Sequence, residues 1–264
     1  MFSPTGTSRK VATAVAEGCR CASHVVDATY GTPTGLTFGR ESLVFMAVPV
    51  YGGKVAPTAL QRCEQMTGDG TPIVLMVVYG NRAYEGALEQ LAQFVSERGF
   101  VPVAAGAFVG EHSYSTSATP IAVGRPDAQD LTDARTWGKA IREKIDGLSK
   151  VEAVDVSHLK HPDNSPISML RFMQFVMQQR VAKDGVKPLP VTDAELCRRC
   201  GKCVRLCPTG AIDVHDCLHT DAERCIKCCA CVKGCPVKAR TFTTPYAPIL
   251  SECFDKRKSP VTLL

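Results

Sequence analysis

Short apolar runs alternate with helix-like segments over the first 125 residues of the chain. The apolar runs are rich in β-branched residues, which is typical of strands buried on both faces of a parallel sheet. In decreasing order of strength, these runs are Ser42–Val50, Pro72–Tyr79, Phe100–Gly110 and Val25–Tyr30. The segments with helical periodicity are Thr7–Gly18, Pro57–Met66, Tyr84–Gly99 and Asp127–Gly147. The alternation predicts a doubly wound α/β sheet with right-handed crossovers.

The alternation ends near residue 150, which suggests a change of domain. Ser165–Ala182 reads as one helix in which Leu170, Met173 and Met177 share a face that Phe172, Phe175 and Val176 widen. Asp184–Pro190 reads as a linker. We interpret the helix as a buried connecting element, with cofactor covering or packing between domains as the alternatives. The predicted division is an α/β domain at 1–150, a helical connector and linker at 151–190, a cysteine-rich domain at 191–244 and a C-terminal tail at 245–264.

Cysteine is the unusual part of the composition. The chain has 14 cysteines in 264 residues, and ten of them lie between Cys197 and Cys235. A secreted disulfide scaffold would be shorter, with cysteines throughout. The N-terminus lacks the apolar core of a secretory signal, and no apolar stretch is long enough for a membrane span. We therefore expect a cytoplasmic protein that binds metal through its local cysteine cluster.

The cysteine-rich region contains an internal repeat. CRRCGKCVRLCPTGA (Cys197–Ala211) and CIKCCACVKGCPVKA (Cys225–Ala239) align at an offset of 28 residues, and each reads C-x2-C-x2-C-x3-C-P. The repeat resembles the bacterial-type 2[4Fe–4S] ferredoxins, in which the fourth cysteine of each run binds the other cluster. The alternative is a pair of zinc sites built from C-x2-C pairs.

The ferredoxin resemblance implies a ligand set for each cluster. One cluster is expected on Cys197, Cys200, Cys203 and Cys235, and the other on Cys225, Cys228, Cys231 and Cys207. Cys217 and Cys229 are left over, and we expect both to be packed small side chains rather than ligands.

The net charge of +5 sits mostly in the same region, since 12 basic and eight acidic residues follow position 190. Most of the excess cations stand between the cysteines, namely Arg198, Arg199, Lys202, Arg205, Lys227 and Lys233. Two oxidised clusters bring about −2 each, so we interpret these cations as compensation for the clusters. The excess is small and lacks basic runs with interleaved aromatics, so no nucleic-acid partner is expected.

Three loops of the α/β domain have the composition of a ligand site. Ser3–Ser8 precedes a predicted helix with hydroxyls and a glycine, which suits an anion site. Pro49–Lys54 and Tyr79–Tyr84 each follow a predicted buried strand. Open α/β sheets bind their ligands at the carboxyl ends of strands.

These loops resemble those of flavodoxins, and the resemblance implies FMN as a cofactor. The phosphate would be bound by Ser3, Thr5, Gly6, Thr7 and Ser8. The flavin ring would be bordered by Tyr51, Gly52 and Gly53 on one side and by Tyr79, Gly80, Asn81 and Tyr84 on the other. Together, the two regions resemble the flavodoxin–ferredoxin fusion proteins of anaerobic bacteria and archaea. The implied fold is a flavodoxin-like doubly wound parallel sheet plus a small α+β ferredoxin domain.

One departure from the flavodoxin pattern concerns the first strand. Flavodoxin-like folds have a buried strand of about five residues before the phosphate loop, whereas only Met1 and Phe2 precede Ser3 here. We therefore expect this central strand to be missing, either because the true start lies upstream or because the chain is a truncated form.

The resemblance implies an intracellular electron-transfer protein. Electrons would pass between the two clusters, FMN and an external redox partner such as a ferredoxin, a flavodoxin or a reductase. One alternative is an FMN-dependent reductase of a small molecule, fed by the clusters, with Glu111, His112 and Tyr114 as candidate proton donors. Another is a flavin-free docking module that carries the clusters. A disulfide between Cys19 and Cys21 is not expected, because residues two apart on a helix point to different faces.

Overall fold

The computed structural model describes residues 1–147, 151–181 and 188–264. Its contacts divide the chain into two compact units, each built from more than one segment. The first unit comprises Met1–Glu111, Gly124–Pro162 and Arg257–Leu264, and the second comprises His112–Val123 and Asp163–Lys256. The predicted linker at 184–190 falls mostly outside the described residues, as does the predicted end of the preceding helix.

The elements are numbered in chain order. The strands are β1 (Thr37–Phe38), β2 (Val44–Tyr51), β3 (Lys54–Val55), β4 (Thr67–Gly68), β5 (Thr71–Tyr79), β6 (Phe100–Val109), β7 (Val191–Thr192), β8 (Arg240–Thr241) and β9 (Val261–Leu263). The helices are α1 (Thr7–Cys19), α2 (Pro57–Arg62), α3 (Ala87–Ser96), α4 (Ala128–Asp146), α5 (Pro166–Val181), α6 (Lys202–Arg205), α7 (Ala230–Lys233) and α8 (Tyr246–Cys253), with a 3-10 turn at Val156–His158. Within the described residues, no helix has both the length and the apolar character that crossing a bilayer requires.

The first unit is built on a five-stranded mixed sheet of order β3-β2-β5-β6-β9. Its three central strands, β2, β5 and β6, are parallel, and they coincide with the three strong apolar runs of the sequence. Every residue of β5 is buried, as expected for a strand covered on both faces. The two outer strands are antiparallel, because β3 is the return of a hairpin and β9 arrives from the C-terminal segment.

The weak apolar run Val25–Tyr30 does not form a strand, so this prediction is wrong. Its Ala28 N–H instead donates to the Met1 carbonyl at 2.9 Å, while the Phe2 N–H donates to the Ala47 carbonyl in β2 at 3.1 Å. Met1 and Phe2 thus bridge β2 and the neighbouring segment, but two residues are too few for a ladder on either side.

Helices α1 and α4 cover one face of this sheet and share a core with β2, β5 and β6. Their backbones approach very closely at two glycines. An added Cβ at Gly138 would lie 2.1 Å from the Val15 carbonyl oxygen, and one at Gly18 would lie 2.0 Å from the Arg135 carbonyl oxygen. The contact between the two helices therefore requires glycine at both positions.

The second unit has a separate core, in which α5 and α8 pack together. The side of α5 that enters this core carries Met169, Phe172 and Phe175. Of the face that the sequence predicted to be buried, Phe172 and Phe175 enter this core. The centre of that face is solvent-exposed instead, with Leu170 58%, Met173 56% and Met177 63% exposed. Apolar residues occur on all sides of this helix, so the sequence pattern alone does not determine which side is buried.

Candidate functional site

The two cysteine runs fold in the same way. Three backbone positions in each run have positive φ, and they are equivalent under the 28-residue offset. The pairs, with φ in degrees, are Arg199 (49) and Lys227 (56), Gly201 (68) and Cys229 (57), and Gly210 (60) and Lys238 (56). Each run also contains a single helical turn, α6 in the first and α7 in the second. The sequence repeat is therefore also a structural repeat.

Four of the predicted ligands line one cavity. Cys225, Cys228 and Cys231 of the second run and Cys207 of the first are among the residues that line it. The structure thus brings together three cysteines of one run with the fourth cysteine of the other. Cys229 also lines this cavity and is only 1% exposed, in keeping with a packed side chain.

The other predicted ligands are less closely grouped. Cys197 and Cys203 pack together around the buried Cys217. Burial raises the pKa of the Cys217 thiol, and the neighbouring sulfurs of Cys197 and Cys203 add to this effect. Cys200 is exposed and Cys235 is half-buried, and both lie outside this packed group.

The fourth cysteine of each run lies in a turn rich in backbone N–H donors. The Ala211 N–H donates to the Cys207 sulfur at 3.1 Å. Burial opposes ionisation of Cys235, but the backbone amides of the four residues from Val237 to Arg240 outweigh it and lower the pKa of this thiol. Amides directed at a sulfur stabilise its thiolate, which is the form that binds iron.

Arg240 is a feature of the site that the sequence analysis missed. Its side chain is 3% exposed, and Nη1 donates to Thr192 Oγ1 at 2.9 Å and to the Cys217 carbonyl at 3.0 Å. Nη2 donates to Thr220 Oγ1. The signal was present in the repeat, because the equivalent position in the first run is the buried Ile212.

The surroundings of Arg240 test whether the site suits an anionic cluster. Its guanidinium donates to three uncharged oxygens and hydrogen-bonds to the Cys231 sulfur, and its buried Nε has no partner among the described residues. Burial raises the pKa of Cys231, and the charge of Arg240 acts in the opposite direction. A buried cation without a counter-ion is costly, so a negatively charged group beside Cys231 fits these residues.

The cations that the sequence analysis chose as compensation are less well placed. Arg198, Arg199, Lys202 and Arg205 are exposed, and Lys227 and Lys233 are half-buried. Water screens exposed charges, so their effect on a cluster is weaker than that of a buried guanidinium.

Tyr114 lies within the second unit, in contact with Phe242 at 5.0 Å and His112 at 4.8 Å between ring centroids. Burial raises its pKa to about 12, and the nearby sulfurs of Cys229, Cys225 and Cys228 contribute. The phenol thus stands beside the cysteine cavity. The other two candidate proton donors also have structural partners, since His112 Nδ1 accepts from the Tyr114 N–H at 3.0 Å and Glu111 Oε2 from the Gly124 N–H at 2.9 Å.

The predicted phosphate loop begins α1 in the first unit. Gly6 adopts φ of 83° immediately before the helix, and a Cβ there would meet no atom within 4 Å. The Ser8 hydroxyl is fully buried and has no hydrogen-bond partner among the described residues. The Ser3 hydroxyl already accepts from the Arg9 N–H at 3.0 Å, and Thr5 and Thr7 are half-buried. An unpaired buried hydroxyl at a helix N-terminus fits a bound anion.

The two other loops lie at the carboxyl ends of β2 and β5, which are neighbouring parallel strands. Gly52 and Gly53, with φ of 59° and 81°, form the tight turn of the β2–β3 hairpin beside the half-buried Tyr51. Thr7 of the first loop packs against Gly110, the residue after β6. The three loops therefore meet at the same edge of the sheet.

Tyr79 and Tyr84 are buried rather than available for stacking. Their rings contact each other edge to face at 5.6 Å, and the Tyr84 hydroxyl donates to the Lys160 carbonyl at 2.9 Å. Gly80 is half-buried and Asn81 has φ of 67°, and Lys258 Nζ donates to the Asn81 carbonyl. This loop thus contributes backbone rather than aromatic faces to the edge of the sheet.

Comparison with known proteins agrees with the cysteine site. Residues 190–213 and 218–241 each match the 4Fe-4S binding domain. Residues 190–241 are therefore a ferredoxin-type region for [4Fe–4S] clusters, of the kind used in iron–sulfur electron transfer. No curated protein is significantly similar to the chain. Among the described residues, no three cysteine, histidine, aspartate or glutamate side chains are grouped to hold a single metal ion.

Proposed function

We propose that the protein is an iron–sulfur flavoprotein that passes electrons between two [4Fe–4S] clusters, FMN and an external redox partner. The observation that carries the proposal is the cavity lined by Cys207, Cys225, Cys228 and Cys231. It matches the crossed ligand arrangement of two-cluster ferredoxins, in which the last cysteine of one run serves the other cluster. A second cluster on Cys197, Cys200, Cys203 and Cys235 completes the proposal.

The chain's own residues would hold the clusters and set their potentials. Arg240 supplies a buried positive charge, and the amides after Cys207 and Cys235 donate to ligand sulfurs. Both stabilise added negative charge, so both raise the reduction potential of the cluster concerned. The half-buried Tyr114, in ring contact with Phe242, lies near the sulfurs of Cys225, Cys228 and Cys229.

We also propose that the part of the first unit within residues 1–150 is a flavodoxin-like domain that binds FMN. Ser8 and the N-terminus of α1 would bind the phosphate, with Thr5, Thr7 and Gly6 around it. The half-buried Tyr51 would border the ring, and the Gly80–Asn81 backbone would face its polar edge. Bound FMN supplies one-electron and two-electron chemistry. The helical connector at 151–190 and the ferredoxin domain at 191–244 complete this division of the chain.

Three measurements on anaerobically purified protein test the proposal. They are iron analysis, acid release of flavin, and a redox titration monitored by electron paramagnetic resonance. We expect about eight irons and one flavin per chain, with two cluster signals. About four irons per chain, with all eight ligands intact, would contradict the two-cluster assignment. A colourless supernatant after acid release would contradict the flavin assignment alone. Turnover of a small acceptor with reduced ferredoxin as donor would instead favour a reductase.

A further inference from the structure

Two free cysteines lie close together at the end of α1. Cys19 is the last residue of the helix, and Arg20 follows in the left-handed region with φ of 52°. The chain therefore turns back, and the Sγ atoms of Cys19 and Cys21 are 3.4 Å apart. The expectation that these side chains point to different faces is wrong, because it assumed that the helix continues through Cys21.

The surroundings give the two sulfurs different roles. Cys21 is half-buried, and Arg142 Nη1 lies 3.5 Å from its sulfur. A cation beside an accessible sulfur is the usual setting of a reactive cysteine. Cys19 is fully buried, and burial, followed by the hydrogen bond with Cys21, raises its pKa to about 12. The more accessible Cys21 is thus suited to attack, and Cys19 is placed to resolve the product because its sulfur lies 3.4 Å away.

We propose that Cys19 and Cys21 form a dithiol site that exchanges with small-molecule disulfides. The Cys21 sulfur loses its proton to water, attacks one sulfur of the small disulfide and displaces a small thiol. The Cys19 sulfur then loses its proton, attacks Cys21 in the mixed disulfide and displaces the second thiol. The two cysteines lose two electrons and two protons, and the small disulfide gains both. The proposal rests on neither the clusters nor FMN.

The geometry indicates a disulfide that is easily reduced. A bond requires the sulfurs to approach from 3.4 Å to about 2 Å, which side-chain rotation can supply. The bond would close a ring over one intervening residue, Arg20, which already has a strained backbone. Short strained disulfides are reduced readily, so we expect a redox-active pair rather than a structural one.

Peptide mapping tests this proposal on the cluster-loaded protein. The protein is equilibrated anaerobically with mixtures of oxidised and reduced glutathione, alkylated and cut with trypsin. Trypsin cleaves after Arg20, so an internal disulfide joins peptides 11–20 and 21–40, or leaves 11–40 uncut and two hydrogens lighter. We expect this product to increase with the proportion of oxidised glutathione and to be absent from Cys21→Ser. The buried Cys63 of the same unit is the internal control and should stay reduced.

The role of Arg142 gives a second measurement. We expect Arg142→Gln to slow disulfide formation by about three- to tenfold. The matched control is Arg135→Gln on the same helix, which removes a 2.9 Å ion pair with Glu17 but no contact to either sulfur. Separately alkylated peptides at every glutathione ratio, or a mixed disulfide that stays on Cys21, would overturn the proposal. Equal rates in the two variants would overturn Cys21 as the attacking sulfur.

Discussion

The guanidinium of Arg240 is buried among uncharged oxygens, with the Cys231 sulfur as its anionic neighbour once that thiol ionises. Burying an arginine without a counter-ion costs roughly several kcal/mol of folding free energy. A cluster bound through Cys231 would remove this penalty. The same charge would favour the reduced, more negative cluster over the oxidised one.

This reasoning predicts the effect of Arg240→Gln on the cluster potential. Loss of the buried charge should lower the midpoint potential of the cluster bound through Cys231 by on the order of 60 mV. This shift corresponds to a change of about tenfold in the one-electron equilibrium constant. Arg240→Lys keeps the charge and should keep most of the potential. The exposed Arg198→Gln is the matched control. Redox titration monitored by electron paramagnetic resonance measures the midpoint potentials of all three variants. An equal shift for Arg198→Gln and Arg240→Gln would contradict a specific effect of the buried charge.

Substitution of Ser8 is predicted to weaken FMN binding without lowering the stability of the flavin-free protein. Its buried hydroxyl has no partner among the described residues, so Ser8→Ala should leave the unfolding free energy of the flavin-free protein unchanged or slightly higher. A hydrogen bond to a charged phosphate contributes about 1.5–3 kcal/mol, so FMN should bind roughly tenfold to 150-fold more weakly. Fluorescence titration with FMN measures the affinity, with exposed Ser96→Ala as the control. Unchanged affinity would remove Ser8 from the phosphate site.

At the scale of elements, the contact between α1 and α4 depends on its two glycines. Gly138→Ala would place a methyl group 2.1 Å from the Val15 carbonyl oxygen, so the helices must separate. We expect a loss of about 1–3 kcal/mol in the unfolding free energy. The single tryptophan, Trp137, is the adjacent residue and reports unfolding of this core in urea.

Gly147→Ala at the end of α4 is the matched control for this substitution. Its added methyl group would lie at an ordinary 3.5 Å from the Glu143 carbonyl oxygen, and the backbone φ is −88°. A change within about 0.5 kcal/mol is therefore expected. Equal losses for the two variants would show that the close approach of the helices does not limit stability.

The elements that the sequence predicted are those whose pattern follows from local burial. β2, β5 and β6 are apolar runs because both faces of each strand are covered, and α1 and α4 keep one apolar stripe. The ligand spacing of the cysteine runs is likewise local. These features could be predicted without knowing which segments meet.

The features that sequence analysis missed depend on distant partners. β9 is a three-residue strand whose pairing with β6 joins residues more than 150 positions apart, and so short a segment carries no signal of its own. The buried side of α5 is chosen by α8 rather than by its own pattern. Arg240 reads as one more surface cation unless its equivalence to the apolar Ile212 in the repeat is taken into account.

At the scale of the whole molecule, each compact unit needs a segment that is remote in sequence. The second unit includes His112–Val123, and the first includes Arg257–Leu264. The residues predicted as a C-terminal tail thus contain α8 in the second unit and β9 in the first. In the first unit, Arg257 pairs with Asp127 at 2.6 Å, and Lys258 donates to the Arg82 carbonyl at 3.0 Å. The last eight residues therefore complete the sheet.

Deletion of residues 257–264 should consequently destabilise the first unit and leave the cysteine site of the second unit intact. The deletion exposes the β6 edge and removes the ion pair to Asp127. The unfolding free energy of the first unit should therefore fall on the order of 2–4 kcal/mol, as measured by urea unfolding monitored through Trp137 fluorescence. The cysteine runs lie in the other unit, so iron content per chain should stay the same. Deletion of Leu264 alone, which is 45% exposed and outside β9, is the control. Unchanged unfolding would contradict the structural role of β9, and loss of iron would contradict the independence of the cysteine site from this segment.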